Sequence, residues 1–213
     1  GKSELTLQLW AKPMMEGGES KQAFLHLANA IELGVKRISD PSDYDVTVEL
    51  PEGYDADGRF IIASVADWEH FASLVNSGNT KLNAVMAADI DLDESQTMIG
   101  DTEANCYRGH FDGNGHTLKV NYYVHSTTDR DGNYRTAPFS YVGDGFELQN
   151  LHVTGKISTN AKFAGGIVGG CVNGAILLTR CWSSVTIEGR AAGDGTHGGL
   201  ISITGASSLK INS

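Results

Sequence analysis

The string "HFDGNGH" at 110–116 carries the densest set of reactive side chains in the sequence. His110, Asp112, Asn114 and His116 alternate, and four such groups converging would suit a divalent cation. Asp-Gly-Asn-Gly is also a turn signature, because it supplies left-handed backbone and side-chain-to-backbone hydrogen bonds. A chain reversal is therefore expected there, and no metal. "DIDLD" at 89–93 puts Asp89, Asp91 and Asp93 on one strand face, about 7 Å apart, with Ile90 and Leu92 on the other. Calcium uses adjacent carboxylates, and a lyase would need a Lys or Arg beside them. This strand offers neither, so a solvated face is expected. "DRDGNY" (129–134) begins like a calcium loop, lacks its distal Glu, and reads as a hairpin tip in the insertion 125–136. "GDGTHG" (193–198) matches G-x-G-x-x-G, but Gly199 and the alternating "LISIT" follow it where dinucleotide binding needs a helix. H-E-x-x-H, G-x-S-x-G and Walker A are absent. No catalytic residue, metal or cofactor is assigned.

Aromatic rings are the remaining candidates. Trp182 follows Cys181, which alternation turns inward, so the indole points outward. Tyr123 follows an inward Tyr122 in the same way, and Tyr134 lies in the insertion. Exposed rings on a rigid surface stack on sugar faces or anchor protein partners. Trp182, Tyr123 and Tyr134 are thus the candidate ligand-binding residues.

The elements that would hold them fall into two regions. Residues 1–58 read as a small α/β segment. "ELTLQLWAKP" (4–13) and "DYDVTVELP" (43–51) alternate as strands. Between them, Phe24, Leu27, Ala28 and Ile31 in "SKQAFLHLANAIELG" (20–34) have helical spacing, with Ser20 as cap and Gly34 as stop. Asp55 to Gly58 reads as a linker. From 59 onward the pattern changes. Trp68, Phe71, Ala72 and Val75 predict one amphipathic helix over about 65–77, started by Ser64 with Asp67 and stopped by Gly78. From about 82 to 213 there are only short strands and glycine turns.

Those strands repeat. Gly165-Gly166-Ile167-Val168 recurs as Gly198-Gly199-Leu200-Ile201, 33 residues on. Leu148, Leu151 and Ile157 match Leu178, Cys181 and Ile187 at an offset of 30. Ile176 and Leu178 match Leu209 and Ile211 at 33, and Phe139 matches Ile167 at 28. Apolar order is kept while loop length varies, which is the signature of a solenoid. The expected fold is mainly β, a right-handed parallel β-helix with the helix capping its first coil. Ile90, Leu92, Leu118, Leu151, Val153, Ile167, Ile176, Leu178, Ile187, Leu200 and Ile211 are expected inside. Ser213 aligns with Arg180, so the last coil stops partway and an uncovered C-terminal edge is expected.

"AGGIVGG…ILLTRC" and "HGGLIS" resemble the GLUG-type repeat. "ADIDL…IG…RGHFDGNGHTL…APFSYV" resembles the coils that usually precede such repeats. The resemblance covers roughly residues 60–213; Arg180 stands where an Asn is common, and Pro138 replaces a Gly. It implies a right-handed parallel β-helix in a secreted or surface protein of bacteria, where such repeats occur as non-catalytic regions.

Composition narrows the partners. The 213 residues carry a net charge of −10 and no Lys/Arg cluster, which disfavours nucleic acid and anionic membrane surfaces. No apolar run approaches the ~20 residues of a membrane span. Three cysteines do not make a disulfide framework; Cys171 and Cys181 could pair, or all three are small buried side chains. The leading expectation is an adhesin-like module that binds an extracellular glycan or protein. A carbohydrate-active β-helix enzyme, lyase or hydrolase, and a spacer without ligand are the alternatives.

Overall fold

The computed structural model describes the backbone of residues 22–27, 31–37 and 44–49, and residues 52–125, 134–189 and 195–213 in full. The chain divides into two compact units, Gly1–Pro51 and Glu52–Ser213.

In the first unit, β1 (Gln22–Leu27), β2 (Ile31–Arg37) and β3 (Tyr44–Glu49) form an antiparallel sheet in that order. The helix expected over 20–34 is therefore corrected: its described residues belong to two strands, and among the described residues of this unit antiparallel β stands in place of the α/β reading. Ile31, Leu33 and Val35 also repeat with period two. In register they face Leu27, Leu25 and Gln22 on one side, and Leu33 and Val35 face Val48 and Val46 on the other. Two partner strands reward that period through their cross-strand pairs, which an isolated helix would forgo. The strand expected at 4–13 lies outside the described residues.

Among its described residues the second unit is mainly β with one helix. In chain order it contains β4 (Phe60–Ile62), α1 (Val65–Asn76), β5 (Ala84–Met86), β6 (Ile90–Asp91), β7 (His110–Asp112) and β8 (Thr117–Val124). Next come β9 (Arg135–Thr136), β10 (Phe139–Val142), β11 (Glu147–Gln149), β12 (His152–Thr159), β13 (Phe163–Gly165) and β14 (Val168–Cys171). The last are β15 (Ala175–Thr179), β16 (Trp182–Gly189), β17 (Thr196–Gly198), β18 (Ile201–Thr204) and β19 (Ser208–Asn212). They form four sheets, ordered β19-β15-β11-β7-β5-β4, β16-β12-β8-β6, β10-β14-β18 and β17-β13-β9. Every strand pair in these sheets is parallel. From β7 onward every fourth strand returns to the same sheet.

Alternation explains which residues enter the core. In β8, Leu118, Val120 and Tyr122 are buried, while Lys119, Asn121 and Tyr123 are exposed. The repeat offsets of 30 and 33 are real pairings: Leu148↔Leu178, Ile157↔Ile187, Ile176↔Leu209 and Leu178↔Ile211. Phe139 is one residue off, since it pairs with Val168. Ile167 and Val168 are both fully buried around the Gly-Gly turn, so apolarity alone does not choose between them. The two Gly-Gly pairs stack as Gly165↔Gly198. A Cβ on Gly165 would strike the Val168 carbonyl oxygen, and one on Gly166 the Gly199 carbonyl oxygen.

Ile90, Leu92, Leu118, Leu151, Val153, Ile167, Ile176 and Leu178 are buried as expected. Ile187 and Leu200 are half-buried, and Ile211 is 52% exposed with Leu209 at 39%. Their strands β16, β18 and β19 stand last in their sheets, and Leu200 immediately precedes β18, so stacked neighbours cover them from one side only.

Helix α1 fits its expected span. Ser64 Oγ accepts the Asp67 N–H, and Asp67 Oδ2 accepts from Ala63 N–H and the Ser64 hydroxyl, a reciprocal cap. Gly78, at φ +115°, ends the segment. Trp68, Phe71, Ala72 and Val75 are fully buried. The Trp68 ring meets Phe111 and Phe139 edge-on at 6.1 and 6.0 Å, and its Nε1–H donates to the Thr97 carbonyl. Residues 55–58 form a closed turn tied to Arg59, with Asp55 accepting from both its backbone N–H and its Nε. All three cysteines are free thiols; Cys106 and Cys171 are buried and Cys181 is half-buried. Burial pushes each thiol up from its ordinary value, the state of an inert core sulfur.

Gly155 and Gly58 both have left-handed backbone, at φ +106° and +73°. A Cβ on Gly155 would meet the Val120 carbonyl oxygen of the next strand, whereas Gly58 faces open space. Gly58→Ala should cost only conformational strain, about 1–2 kcal/mol. Gly155→Ala should cost about 1–3 kcal/mol more, because a paired backbone has to move. Denaturant unfolding of the two variants measures the difference, and equal losses would refute this stacking.

Candidate functional site

The aromatic candidates lie on the outer face of the sheet β16-β12-β8-β6. Its register sets side chains in rungs: Thr117–His152–Trp182, then Asp91–Lys119–Thr154–Ser184, then Asn121–Lys156–Thr186, then Tyr123–Ser158–Glu188. Trp182 is 51% and Tyr123 66% exposed. Trp182 and Glu188 are six residues apart on β16, and Tyr123 shares the rung of Glu188 two strands away. At about 3.3 Å per residue and 4.8 Å per strand, the two rings stand roughly 22 Å apart.

Each ring is backed by an imidazole. His152 stacks on Trp182 with centroids 5.0 Å apart and planes 22° from parallel. The His152 Nε2 is 2.9 Å from Ser184 Oγ, which holds the imidazole upright. His125 lies 4.3 Å from the Tyr123 ring, and its Nε2 is 3.2 Å from Ser158 Oγ. The Tyr123 N–H donates to Gln96 Oε1 at 2.7 Å, which ties that rung down. Between the rings two ion pairs form: Lys119 Nζ to Asp91 within one rung at 2.8 Å, and Lys156 Nζ diagonally to Glu188 of the next rung at 2.9 Å. Its hydrogen bond to the Asp91 carboxylate raises the Lys119 ammonium above its ordinary range. The face is thus flat, polar and nearly neutral, with an aromatic ring at each end.

Tyr134 does not belong with the other two. It is half-buried; burial first, and to a lesser extent Tyr134, push the Tyr122 hydroxyl up from its ordinary value. Residues 126–133, with most of "DRDGNY", lie outside the described residues. His152 was missed by sequence reasoning, although a signal existed: extending the Leu151/Cys181 offset by one residue places His152 beside Trp182.

The other candidates disperse. His110 and Asp112 sit on the outer face of the six-stranded sheet, with His110 Nδ1 3.5 Å from Glu147. Asn114 occupies a left-handed corner, φ +52°, and its Nδ2 donates to the Met86 carbonyl. His116 Nδ1 lies 3.2 Å from Asp89, which also accepts the Thr117 N–H. These bonds hold the Asp89 carboxyl below its usual range. The solvated strand face expected at "DIDLD" is found, with Asp89, Asp91 and Asp93 exposed over buried Ile90 and Leu92; Asp91 also pairs with Lys119 of the next strand, and Asp93 Oδ1 accepts from Asn121. Among the described residues no three His, Cys, Asp or Glu side chains converge as metal ligands. In "GDGTHG", the described part is strand β17, parallel to β13.

Asp112 is the hub of the corner between the two large sheets. Oδ1 accepts from the Asn114 N–H and Asn150 Nδ2, and Oδ2 accepts from Gln149 Nε2. Asn150 Oδ1 in turn accepts from Arg180 Nε at 2.7 Å. Asn114, Asn150 and Arg180 all have positive φ, 52°, 53° and 50°, so Arg180 takes the Asn place in a left-handed ladder. Burial alone would push the Asp112 carboxyl up, but bonds from Asn150, the Asn114 N–H and Gln149, with Arg59 nearby, hold it lower. Such a group stabilises the fold fully above its unfolded value and loses that contribution as pH falls through its lower folded value. Asp112→Asn should therefore be less stable than wild type at neutral pH, with the deficit shrinking on acidification. A deficit that is constant with pH would show that the charge is not what matters.

The two tryptophans give a second check. Trp68→Ala should lose about 3–5 kcal/mol, as a core tryptophan does, and Trp182→Ala about 0.5 kcal/mol or less. Thermal melting of both variants measures this, and a large loss at Trp182 would make it a structural residue.

No protein-family model, curated protein or solved structure matches the chain, so a functional reading rests on this geometry.

Proposed function

We propose that residues 59–213 form a right-handed parallel β-helix of the GLUG-repeat type. In this reading it acts as a non-catalytic, adhesin-like module of a secreted or surface-exposed bacterial protein and binds an extracellular glycan on the β16-β12-β8-β6 face. The return of every fourth strand to its own sheet and the stacked Gly-Gly pairs support the fold. The observation that carries the function is the pair of exposed rings, Trp182 and Tyr123, at opposite ends of one flat polar face. Sugar rings stack on such aromatics through their C–H faces. The Thr, Ser, Asn and Lys side chains between them suit hydroxyl groups better than they suit an apolar protein surface.

The lyase or hydrolase alternative is less well supported. A hydrolase needs two carboxyl groups, one of them able to hold a proton near neutral pH. Asp112 and Glu147 stand on adjacent strands, but Asp112 has both oxygens bonded and is held toward its ionised form. That is the wrong state for a general acid.

A glycan array, with extracellular host proteins alongside, tests the reading on the intact protein. Binding of an oligosaccharide is expected, weakened about tenfold or more by Trp182→Ala or Tyr123→Ala with melting unchanged. Binding that survives both changes would remove this face from consideration. Turnover of a polysaccharide, lost on replacing one carboxylate, would put the enzyme ahead.

A further inference from the structure

The six-stranded sheet carries a groove of about 190 Å³ on its outer face. Two neighbouring rungs build it. One is His110–Glu147–Leu177, the other Asp112–Gln149–Thr179. Arg59 closes one end. The residues between these rungs, Phe111, Leu148 and Leu178, point inward and are buried, so the groove has a rigid floor.

Its chemistry disfavours anions and metal ions. The Arg59 guanidinium is already neutralised: Nη2 is 2.7 Å from Asp55 and Nη1 is 3.9 Å from Asp112. Asp112 and Glu147 leave the groove acidic, which repels anions. Its acids do not converge with a third ligand, and no metal-holding group exists among the described residues. The remaining polar atoms, the Glu147 carboxylate, the His110 ring and the Thr179 hydroxyl, suit a ligand that both donates and accepts hydrogen bonds. Leu177 is the exception in its rung, an outward, half-buried aliphatic side chain between polar neighbours. It offers an apolar wall to a C–H surface. A cavity of about 150 Å³ takes one benzene ring, so this volume is on the scale of one six-membered sugar ring.

We propose that this groove is a binding site for a single neutral pyranose unit, independent of the aromatic face. The ring lies with its C–H face on Leu177 and its hydroxyls on Glu147, His110 and Thr179. Asp112 and Gln149 are locked to each other at 2.8 Å and act as a preformed back wall, so little ordering is needed on binding.

The test is an NMR titration of the intact protein with neutral methyl pyranosides of gluco, galacto and manno configuration, and with glucuronate as the anionic counterpart. At least one neutral glycoside should shift the backbone amides of β7, β11 and β15 saturably, with a Kd in the millimolar range. Glu147→Gln and Thr179→Val should weaken that binding about fivefold or more, and Leu177→Ser likewise. Glucuronate should bind more weakly than its neutral counterpart, and Trp182→Ala should leave the groove shifts unchanged. Each variant is read only with a native amide spectrum; should Leu177→Ser unfold, the other two decide. No saturable shift with any neutral glycoside up to about 50 mM would overturn the proposal. So would tighter binding of glucuronate, or loss of the groove shifts in Trp182→Ala. Failure of the aromatic face to bind glycan would leave these outcomes unaffected.

Discussion

Parallel, in-register pairing of β8, β12 and β16 over eight positions is the constraint on which the second unit depends. A strand's side-chain period is two, so a slip of one residue would turn every core residue outward. Here Ile157 is held between Tyr122 and Ile187. Gly155 lies in the middle of the same strand, against the Val120 carbonyl. The absence of a side chain there lets β12 come to ladder distance of β8.

The first strands need a different solution. The short strands β4 and β5 bury little by themselves, and α1 supplies the missing apolar surface. Trp68 and Phe71 reach Phe111, and Trp68 and Tyr107 reach Phe139, so one aromatic cluster joins the helix to strands far along the chain. Asn76 ties the end of the helix to the same region, donating to the Met98 carbonyl and accepting from the Gly100 N–H. The later strands β16, β18 and β19 are covered from one side only, and their exposure rises accordingly.

The same register that builds the core writes the surface. Side chains equivalent along the chain come to stand beside each other about 4.8 Å apart, so a charge on one strand meets its partner on the next. Lys119 with Asp91 is such a pair, as is His152 with Trp182, while Lys156 reaches Glu188 one rung further on. Exposed ion pairs of this kind contribute little to stability; their consequence is a polar surface on which both lysines are matched by carboxylates. The flatness and rigidity favour an extended partner over a reacting centre, which needs groups converging in a cleft.

Much of this was legible in the residues. The period-two runs, the Gly-Gly-aliphatic spacing and the Ser64–Asp67 cap before Trp68 and Phe71 are local signals, and local chemistry is enough to read them. Alternation alone also turned Trp182 and Tyr123 outward. It could not choose between a helix and two strands over 20–34, where both periods are present and only the pairing with β3 decides. Nor could it choose between Ile167 and Val168 as the partner of Phe139, tell that Tyr134 is half-buried, or gather Arg59, His110, Glu147 and Thr179 into one groove. Those outcomes depend on which strands become neighbours. That choice is made by the stacking of backbone hydrogen bonds between residues roughly 30 positions apart, and no single stretch of sequence contains it.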